Sequence, residues 1–312
     1  MSSDALTGSV ALVTGASGFL GANLCRRLLA GGAQVHATSR SARTSDHARL
    51  RWWQRDLASE GSAQALVREI RPDVVFHLAG QVSAAPSASL VMPAFQSLLA
   101  STVNLLTAVA EQGGARLVVT GSLTEPRSSS DQVVPSSPYA AAKWASTAYA
   151  RMFHALYGTP VMILRPFMAY GPGQNPEKLV PHVILSLLRG TPPKLASGRW
   201  SADWVYVDDV IDGFVLAARH PGIDGATVDL GSGVLTSTRE IVLKLVAQID
   251  PRAEPQFGAV PDRPAEEVRL ADLAAAKAAL GWEPRTPLDQ GLAQTIAWYR
   301  TQAPRSGARS EP

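Results

Sequence analysis

The stretch VTGASGFLG, residues Val13 to Gly21, decides the fold of this 312-residue chain. Its glycines Gly15, Gly18 and Gly21 recur every third residue, between an apolar run that predicts a strand and a segment that predicts a helix. At such a junction glycines let the backbone approach a pyrophosphate, which the N–H groups at the helix N-terminus then face. A tight turn without a ligand is the alternative. The sequence on either side favours the dinucleotide site, because it predicts a βαβ unit.

Strand and helix patterns alternate through the first half of the chain. The predicted strands are 9–14, 33–39, 50–54, 73–80, 115–122 and 160–166. The predicted helices are 18–32, 62–70, 94–114 and 138–157. Strands that are apolar on both faces and are separated by helices are typical of a parallel sheet covered on both sides. We therefore expect an α/β fold with a doubly wound parallel sheet, the Rossmann arrangement.

The pattern changes after Pro166, where Pro- and Gly-rich segments break the alternation. We expect a smaller, mostly helical C-terminal substrate domain that comprises residues 167–202 and 234–312. The segments DWVYV (203–207) and ATVDLG (226–231) predict strands that return to the first sheet. The dinucleotide-binding domain is therefore expected to comprise residues 1–166 and 203–233.

Composition excludes several classes of protein. The formal net charge is +3 and the chain has no dense Lys/Arg run, so we expect no nucleic-acid partner. The N-terminus lacks the pattern of a secretory signal, and no apolar run approaches the roughly 18 residues of a membrane span, which predicts a cytoplasmic protein without a membrane partner. Cys25 is the one cysteine, so neither an internal disulfide nor a metal site is expected. Cys25 and His77 are expected to pack in the core.

The end of the second predicted strand indicates which dinucleotide binds. An acidic residue there would bond the ribose 2′-hydroxyl of NAD, but the sequence offers Thr38, Ser39 and Arg40. Hydroxyl groups and a guanidinium suit a 2′-phosphate, so NADP is favoured and NAD stays possible. A solvated loop that carries Arg40 and Arg43 is the alternative. Asp56 either accepts from the adenine amino group or caps a helix.

Tyr139 and Lys143 are four residues apart on a predicted helix, which places them on one face about one turn apart. A phenol has an ordinary pKa of about 10, and a neighbouring ammonium or a positive nicotinamide would lower it toward neutrality. Ser122 follows the fifth strand, at the sheet edge where ligands of open α/β folds bind. It could orient a substrate oxygen toward Tyr139, or it could be a turn serine.

Together these motifs resemble the extended short-chain dehydrogenase/reductase family, which contains nucleotide-sugar epimerases, dehydratases and ketoreductases. The landmarks, in chain order, are TGASGFLG, RDL, HLAG, YAAAK, LRPFMAYGPGQ, DWVYVDDV, VDLGSG and LGWEPRTPLDQGLAQTIAWYR. The resemblance implies that Tyr139 is the acid/base, that Lys143 lowers its pKa and binds the nicotinamide ribose, and that Ser122 positions the reacting oxygen. Hydride would move to or from the cofactor. The helix that carries Tyr139 would pack against its equivalent in a homodimer.

The resemblance also implies two sets of binding residues. The cofactor site would comprise Gly15, Ser17, Gly18, Phe19, Leu20, Gly21, Ser39, Arg40, Asp56, Leu57, Leu78, Ala79, Gly80, Tyr139, Lys143 and Pro166. The substrate site would comprise Ser83, Thr124, Met168, Val180, Arg199 and Arg263. The substrate implied is a nucleotide sugar.

Some positions depart from the family pattern. Leu123 and Thr124 stand where family dehydratases place an Asp-Glu pair, so a 4,6-dehydratase is not expected. Leu98 and Met168 stand where the family has asparagines, and Ala202 where it often has an arginine. Polar contacts to a diphosphate are thereby lost, although Arg263 matches a phosphate-binding arginine and Arg199 lies nearby in sequence.

These observations leave several functions open. An NADP-dependent ketoreductase of a keto-sugar nucleotide is favoured, because Ser39 and Arg40 suit NADP. An NAD-dependent nucleotide-sugar epimerase is the first alternative. A reductase of a hydrophobic ketone, motivated by Met168 and Ala202, is the second. A cofactor sensor without turnover is disfavoured, because a sensor does not need Ser122, Tyr139 and Lys143 together.

Overall fold

A seven-stranded parallel sheet forms the centre of the computed structural model, which describes residues 6–127, 132–262 and 268–302. The strands are β1 (Val10–Thr14), β2 (Gln34–Ser39), β3 (Leu50–Gln54), β4 (Val74–His77), β5 (Arg116–Thr120), β6 (Val161–Pro166), β7 (Met168–Tyr170), β8 (Lys194–Leu195), β9 (Ser201–Tyr206), β10 (Thr227–Leu230), β11 (Leu235–Ser237) and β12 (Gln256–Phe257). The helices are α1 (Phe19–Ala30), α2 (Ser62–Ile70), α3 (Val91–Ala94), α4 (Ser101–Gln112), α5 (Pro138–Tyr157), α6 (Leu179–Leu188), α7 (Val207–Ala217), α8 (Thr238–Ile249), α9 (Leu273–Leu280) and α10 (Leu288–Gln302).

The strand order in the large sheet is β10-β6-β5-β4-β1-β2-β3, and every neighbouring pair is parallel. The chain first builds outward from β1 to β3, then crosses back to β4 and builds in the other direction. The order therefore reverses between β1 and β4, which leaves a crevice at the carboxyl ends of these strands. The predicted Rossmann arrangement is confirmed.

Helices cover both faces of this sheet, as the alternation of apolar side chains along β1 shows. Ala11 and Val13 belong to the core that packs under α1 and α7, whereas Leu12 belongs to the core under α2 and α4. All three are at most 1% exposed. Burial on both faces explains why the strands are continuous apolar runs.

The prediction for residues 203–207 is wrong in one respect. They belong to β9, which joins a separate three-stranded sheet in the order β11-β9-β7, whereas β10 does return to the first sheet. Trp204 donates its indole N–H to the carbonyl oxygen of Thr236 on β11, which ties β9 into the smaller sheet. An apolar run predicts a buried strand but carries no information about which sheet accepts it. The division into two domains stays a prediction.

The helix predicted at 94–114 begins earlier and is not uniform. A 3-10 turn (Ala88–Leu90) and α3 come first, a π-helical segment (Phe95–Ala100) follows, and α4 completes a continuous helical stretch, Ala88–Gln112. By length and composition this stretch could cross a membrane. However, Leu105, Leu106 and Val109 are buried in the core against α2, as in the core helix of a soluble protein.

The glycine loop lets α1 begin directly against β1 and β4. Gly15 has φ +64°, and a β-carbon there would lie 2.7 Å from the carbonyl oxygen of Leu78. A β-carbon at Gly21 would overlap the carbonyl oxygen of Gly15 and lie 2.8 Å from the Cα of Ala16. Both obstacles are backbone atoms, which cannot rotate away. These two positions therefore require glycine on steric grounds.

Gly21→Ala tests this constraint. Helix propensity alone predicts that alanine inside α1 stabilises the protein by about 1 kcal/mol. The steric overlap predicts the opposite sign, a loss of about 1 to 3 kcal/mol in the free energy of unfolding. Chemical denaturation measures the difference. Ala22→Ser, at the exposed neighbouring position of the same helix, is the control and is expected to change stability by less than about 0.5 kcal/mol. A stabilised Gly21→Ala protein would contradict the steric account.

Candidate active site

The crevice beside the glycine loop fits a dinucleotide. Among the described residues, no side chain caps the N-terminus of α1, whose N-cap is Gly18, and its first turn contains no acidic residue. The N–H groups of that turn are therefore available to an anion, and the helix dipole favours negative charge there. The glycines supply the second condition, close approach, because a β-carbon at Gly15 or Gly21 would clash. The residues present thus suit the pyrophosphate of NAD or NADP.

Ten of the predicted cofactor residues line this crevice. They are Gly15, Ser17, Gly18, Ser39, Arg40, Asp56, Leu57, Leu78, Ala79 and Gly80. Phe19 and Leu20 instead lie partly buried in the first turn of α1, packed against the core, and Pro166 lies at the end of β6. The crevice is also lined by residues that sequence analysis missed, namely Thr38, Arg55, Ala58, Gln81, Pro93, Gln96, Ser97 and Ser101.

Arg55 is the most informative of these missed residues, because it adds a second cation beside Arg40. Its backbone N–H donates to the carbonyl oxygen of Ser39 at 3.0 Å, which continues the parallel pairing of β2 with β3. The register of two adjacent parallel strands could have revealed this neighbour. Asp56 is not a helix N-cap, since α2 begins at Ser62 with Gly61 as its N-cap, but it lines the crevice.

His77 and Cys25 pack in the core as predicted. The Nδ1 of His77 lies 2.8 Å from the hydroxyl of Thr14, and its Nε2 lies 3.0 Å from that of Thr102. Burial, reinforced by the charge of Lys143, lowers the pKa of His77 to about 3, which keeps this ring neutral. Burial raises the pKa of Cys25 to about 12, so its thiol stays protonated.

The structure brings Ser122, Tyr139 and Lys143 together. Ser122 follows β5, while Tyr139 and Lys143 lie on α5, which starts at Pro138. The Ser122 hydroxyl lies 2.9 Å from that of Thr124 and is hydrogen-bonded to the Tyr139 phenol. Lys143 donates to the carbonyl oxygen of Thr120 at 2.6 Å. The carboxyl end of β5 therefore holds all three groups.

The electrostatics of these groups differ from expectation. Burial raises the pKa of Tyr139 above its usual range, the hydrogen bond with Ser122 opposes this rise, and the charge of Glu125 adds to it. Burial lowers the pKa of Lys143 to about 8, and Glu125 opposes that change. The expected lowering of the Tyr139 pKa by Lys143 is thus not the dominant effect in this structure.

Glu125 is the ionisable residue near Ser122 that sequence analysis missed. It is 0% exposed, and its Oε1 accepts from the Ser122 backbone N–H at 2.6 Å. Its Oε2 accepts from two guanidinium nitrogens of Arg165, each at 3.1 Å. With both oxygens bonded and no exposure, this carboxylate cannot reach a substrate.

The predicted substrate residues are less clearly assembled. Thr124 lines a second cavity, together with Arg127 and Arg269, beside the catalytic groups. Ser83 and Met168 are partly buried, Arg199 is 84% exposed and 3.4 Å from Asp262, and Val180 is 1% exposed within the core. Arg263 lies outside the described residues. Contacts from these residues to a substrate stay predictions.

Comparisons with known proteins agree with this geometry. The pattern of the NAD dependent epimerase/dehydratase family matches residues 11–231. The chain is 33% identical to the UDP-glucose 4-epimerase of Mycolicibacterium smegmatis, over 94% of this chain and 99% of that protein. It is 31% identical to the dTDP-glucose 4,6-dehydratase of Xanthomonas campestris pv. campestris (strain ATCC 33913), over 93% of both chains.

Solved structures show the same similarity. MoeE5 in complex with UDP-glucuronic acid and NAD has a TM-score of 0.84 and 30% identity, with 95% of this chain and 100% of that chain covered. The UDP-glucose 4-epimerase of Thermotoga maritima with UDP-glucose has a TM-score of 0.84 and 25% identity, with 94% of this chain and 99% of that chain covered. The chain belongs to the NAD dependent epimerase/dehydratase family and is an enzyme of the extended short-chain dehydrogenase/reductase class.

Proposed function

We propose that this enzyme is an NAD(P)-dependent epimerase of a nucleoside diphosphate sugar. The observation that carries the proposal is the proton chemistry of the site. Tyr139 is the acid/base group of the described residues that can meet a substrate, since Leu123 and Thr124 exchange no proton near neutral pH and Glu125 is sealed. Loss of water needs a further acid/base pair, whereas inversion at an alcohol carbon does not. The similarity to a UDP-glucose 4-epimerase supports the same function.

The residues of the chain divide the work at the substrate oxygen. A bound nicotinamide cofactor supplies reversible hydride acceptance. Tyr139 takes the hydroxyl proton when the alcohol is oxidised and returns it when the carbonyl is reduced. Ser122, which is bonded to both Tyr139 and Thr124, is placed to donate to that same oxygen. Lys143 supplies positive charge one helical turn from Tyr139.

The raised pKa of Tyr139 makes the phenol a weak base until positive charge arrives. A positive nicotinamide favours the phenolate by Coulomb attraction. Proton abstraction by Tyr139 is therefore coupled to the oxidised cofactor, which limits unproductive chemistry in its absence.

Turnover without net cofactor use is the expected outcome for an epimerase. Incubation with UDP-glucose, and separately with dTDP-glucose and UDP-glucuronic acid, should yield a second sugar nucleotide in proton NMR spectra while nicotinamide absorbance stays constant. Reduced nicotinamide consumed in proportion to a keto-sugar nucleotide would instead establish the ketoreductase. The heat-denatured enzyme, with the same cofactor, serves as the blank.

Tyr139→Phe should lower kcat by about 100- to 10,000-fold, the usual contribution of general acid–base catalysis, with little change in cofactor affinity. Steady-state kinetics and cofactor titration measure the two effects. Tyr149→Phe removes a hydroxyl from the same helix at a side chain that is 41% exposed, and it should leave kcat unchanged. Equal rates for Tyr139→Phe and the native enzyme would revive the cofactor sensor.

The NADP-dependent ketoreductase stays the second candidate, because Ser39, Arg40 and Arg55 line the crevice at the ends of β2 and β3. Two guanidinium groups and a hydroxyl provide what a 2′-phosphate needs. Against this, the related structures with epimerase chemistry contain NAD. Cofactor preference and reaction type can therefore be tested independently.

Arg40→Ala should weaken NADP binding about 10- to 100-fold, equivalent to one hydrogen bond to a charged group, and should leave NAD binding unchanged. Isothermal titration calorimetry with both dinucleotides provides the measurement. Arg43→Ala is the matched control, because Arg43 packs over the Trp52 ring, 5.6 Å from its centroid. Preferential NAD binding by the native enzyme would overturn the assignment to NADP.

The substrate and the assembly are proposed on weaker contacts. Met168 is partly buried and Ala202 is 4% exposed, so a hydrophobic ketone stays an alternative to the nucleotide sugar. We propose a cytoplasmic homodimer, in which α5 and the neighbouring π-helical segment face a second copy. Phe95 on that segment is 44% exposed and Trp144 on α5 is 41% exposed, which would suit an apolar interface.

A further inference from the structure

A buried network of four charged side chains lies behind the catalytic serine. Glu125 pairs with Arg165 on β6, Arg165 approaches Asp229 on β10 at 4.0 Å, and Arg127 bonds both oxygens of Asp229 at 2.8 and 2.9 Å. The exposed fractions of the side chains are 0% for Glu125, 7% for Asp229, 11% for Arg165 and 32% for Arg127. Two anions and two cations leave the network neutral.

Glu125 connects this network to the backbone of Ser122. The same carboxylate that binds Arg165 accepts the Ser122 N–H, so the amide is held by a group that is itself fixed on its other side. Gly121 makes room for this arrangement, since a β-carbon there would lie 2.6 Å from Oε1 of Glu125 and 2.8 Å from Cγ of Arg165. The order Gly121, Ser122 and Glu125 is therefore a local requirement of the network.

The segment around Ser122 is held from a second direction. Arg269 donates to the carbonyl oxygens of Leu123 and Glu125, from a part of the chain that precedes α9. Backbone groups on both sides of the segment are thus bonded to charged side chains. Such bonds are about twice as strong as neutral ones, so the position of Ser122 is tightly determined.

The charges that face Lys143 come from three neighbouring elements. His77 on β4 is neutral at physiological pH, Tyr139 shares α5 with Lys143, and Glu125 follows β5. Arg165 on β6 partly offsets the charge of Glu125, because the two are paired. Glu125 is nonetheless the anion that keeps the buried ammonium from losing its proton still more easily.

We propose that Glu125 is a positioning residue of the active site, which holds Ser122 through its backbone amide and provides the counter-charge for Lys143. The role deepens the proposed function, since it rests on Ser122 and Lys143 taking part in catalysis. Leu123 and Thr124, which occupy the positions of the dehydratase pair, do not supply such an anion. A sealed carboxylate does so without offering a second proton donor to the substrate.

Glu125→Gln tests the charge while an oxygen remains to accept from Ser122. NMR of isotope-labelled lysine in the full chain can follow Lys143, because the chain has five lysines and Lys143→Arg identifies its signal. The pKa of Lys143 should fall by about one unit in Glu125→Gln, as expected when a nearby opposite charge is removed. Asp229→Asn makes the same change elsewhere in the network and should leave the pKa of Lys143 in place. An unmoved Lys143 titration in folded Glu125→Gln would overturn the proposal.

Glu125→Asp tests the positioning, and it also keeps the proposal falsifiable if Glu125→Gln fails to fold. Aspartate retains the charge but shortens the side chain, so the amide resonance of Ser122 should shift and kcat should fall about tenfold, a loss typical of a small misplacement. The alkaline limb of the kcat/KM profile should stay where it is in the native enzyme. An unchanged Ser122 resonance together with native kcat would overturn the proposal. The NMR measurements need no turnover, so failure of the epimerase assignment would be recognised separately.

Discussion

The close approach of α1 to the carboxyl ends of β1 and β4 is the constraint on which the rest of the structure depends. It is possible because Gly15 and Gly21 lack β-carbons that would overlap backbone atoms. With the helix in that position, its first-turn N–H groups face the crevice where the strand order reverses. The catalytic groups then need only to lie at the end of β5, one strand beyond β4, to meet a cofactor held there.

The active site combines two kinds of burial with opposite effects. Burial of Tyr139 and Lys143 disfavours the charged form of each group, which raises the pKa of the phenol and lowers that of the ammonium. Burial of Glu125 is offset by Arg165 and by a backbone amide, so its carboxylate can act as a fixed charge. The enzyme thus separates the group that exchanges protons from the group that sets the field around it.

Much of this architecture could be predicted from the sequence, because it depends on local patterns. The apolar runs, the glycine spacing and the helical spacing of Tyr139 and Lys143 predicted the large sheet and the face that carries these two residues. The placement of β9 in a second sheet and the π-helical segment were missed, because tertiary pairing decides them. The pairing of Glu125 with Arg165 was missed for the same reason, since these residues are 40 positions apart in the chain.

The ion network also constrains the order of folding. Arg127 and Asp229 are 102 positions apart, and β10 joins the sheet at its edge beside β6. The first half of the chain can form the glycine loop, β1 to β5 and the crevice by short crossovers, which involve modest loop-closure entropy. The charged support behind Ser122 is complete only after β10 docks. A nascent chain would therefore acquire a nucleotide pocket before it acquires a fully braced catalytic serine.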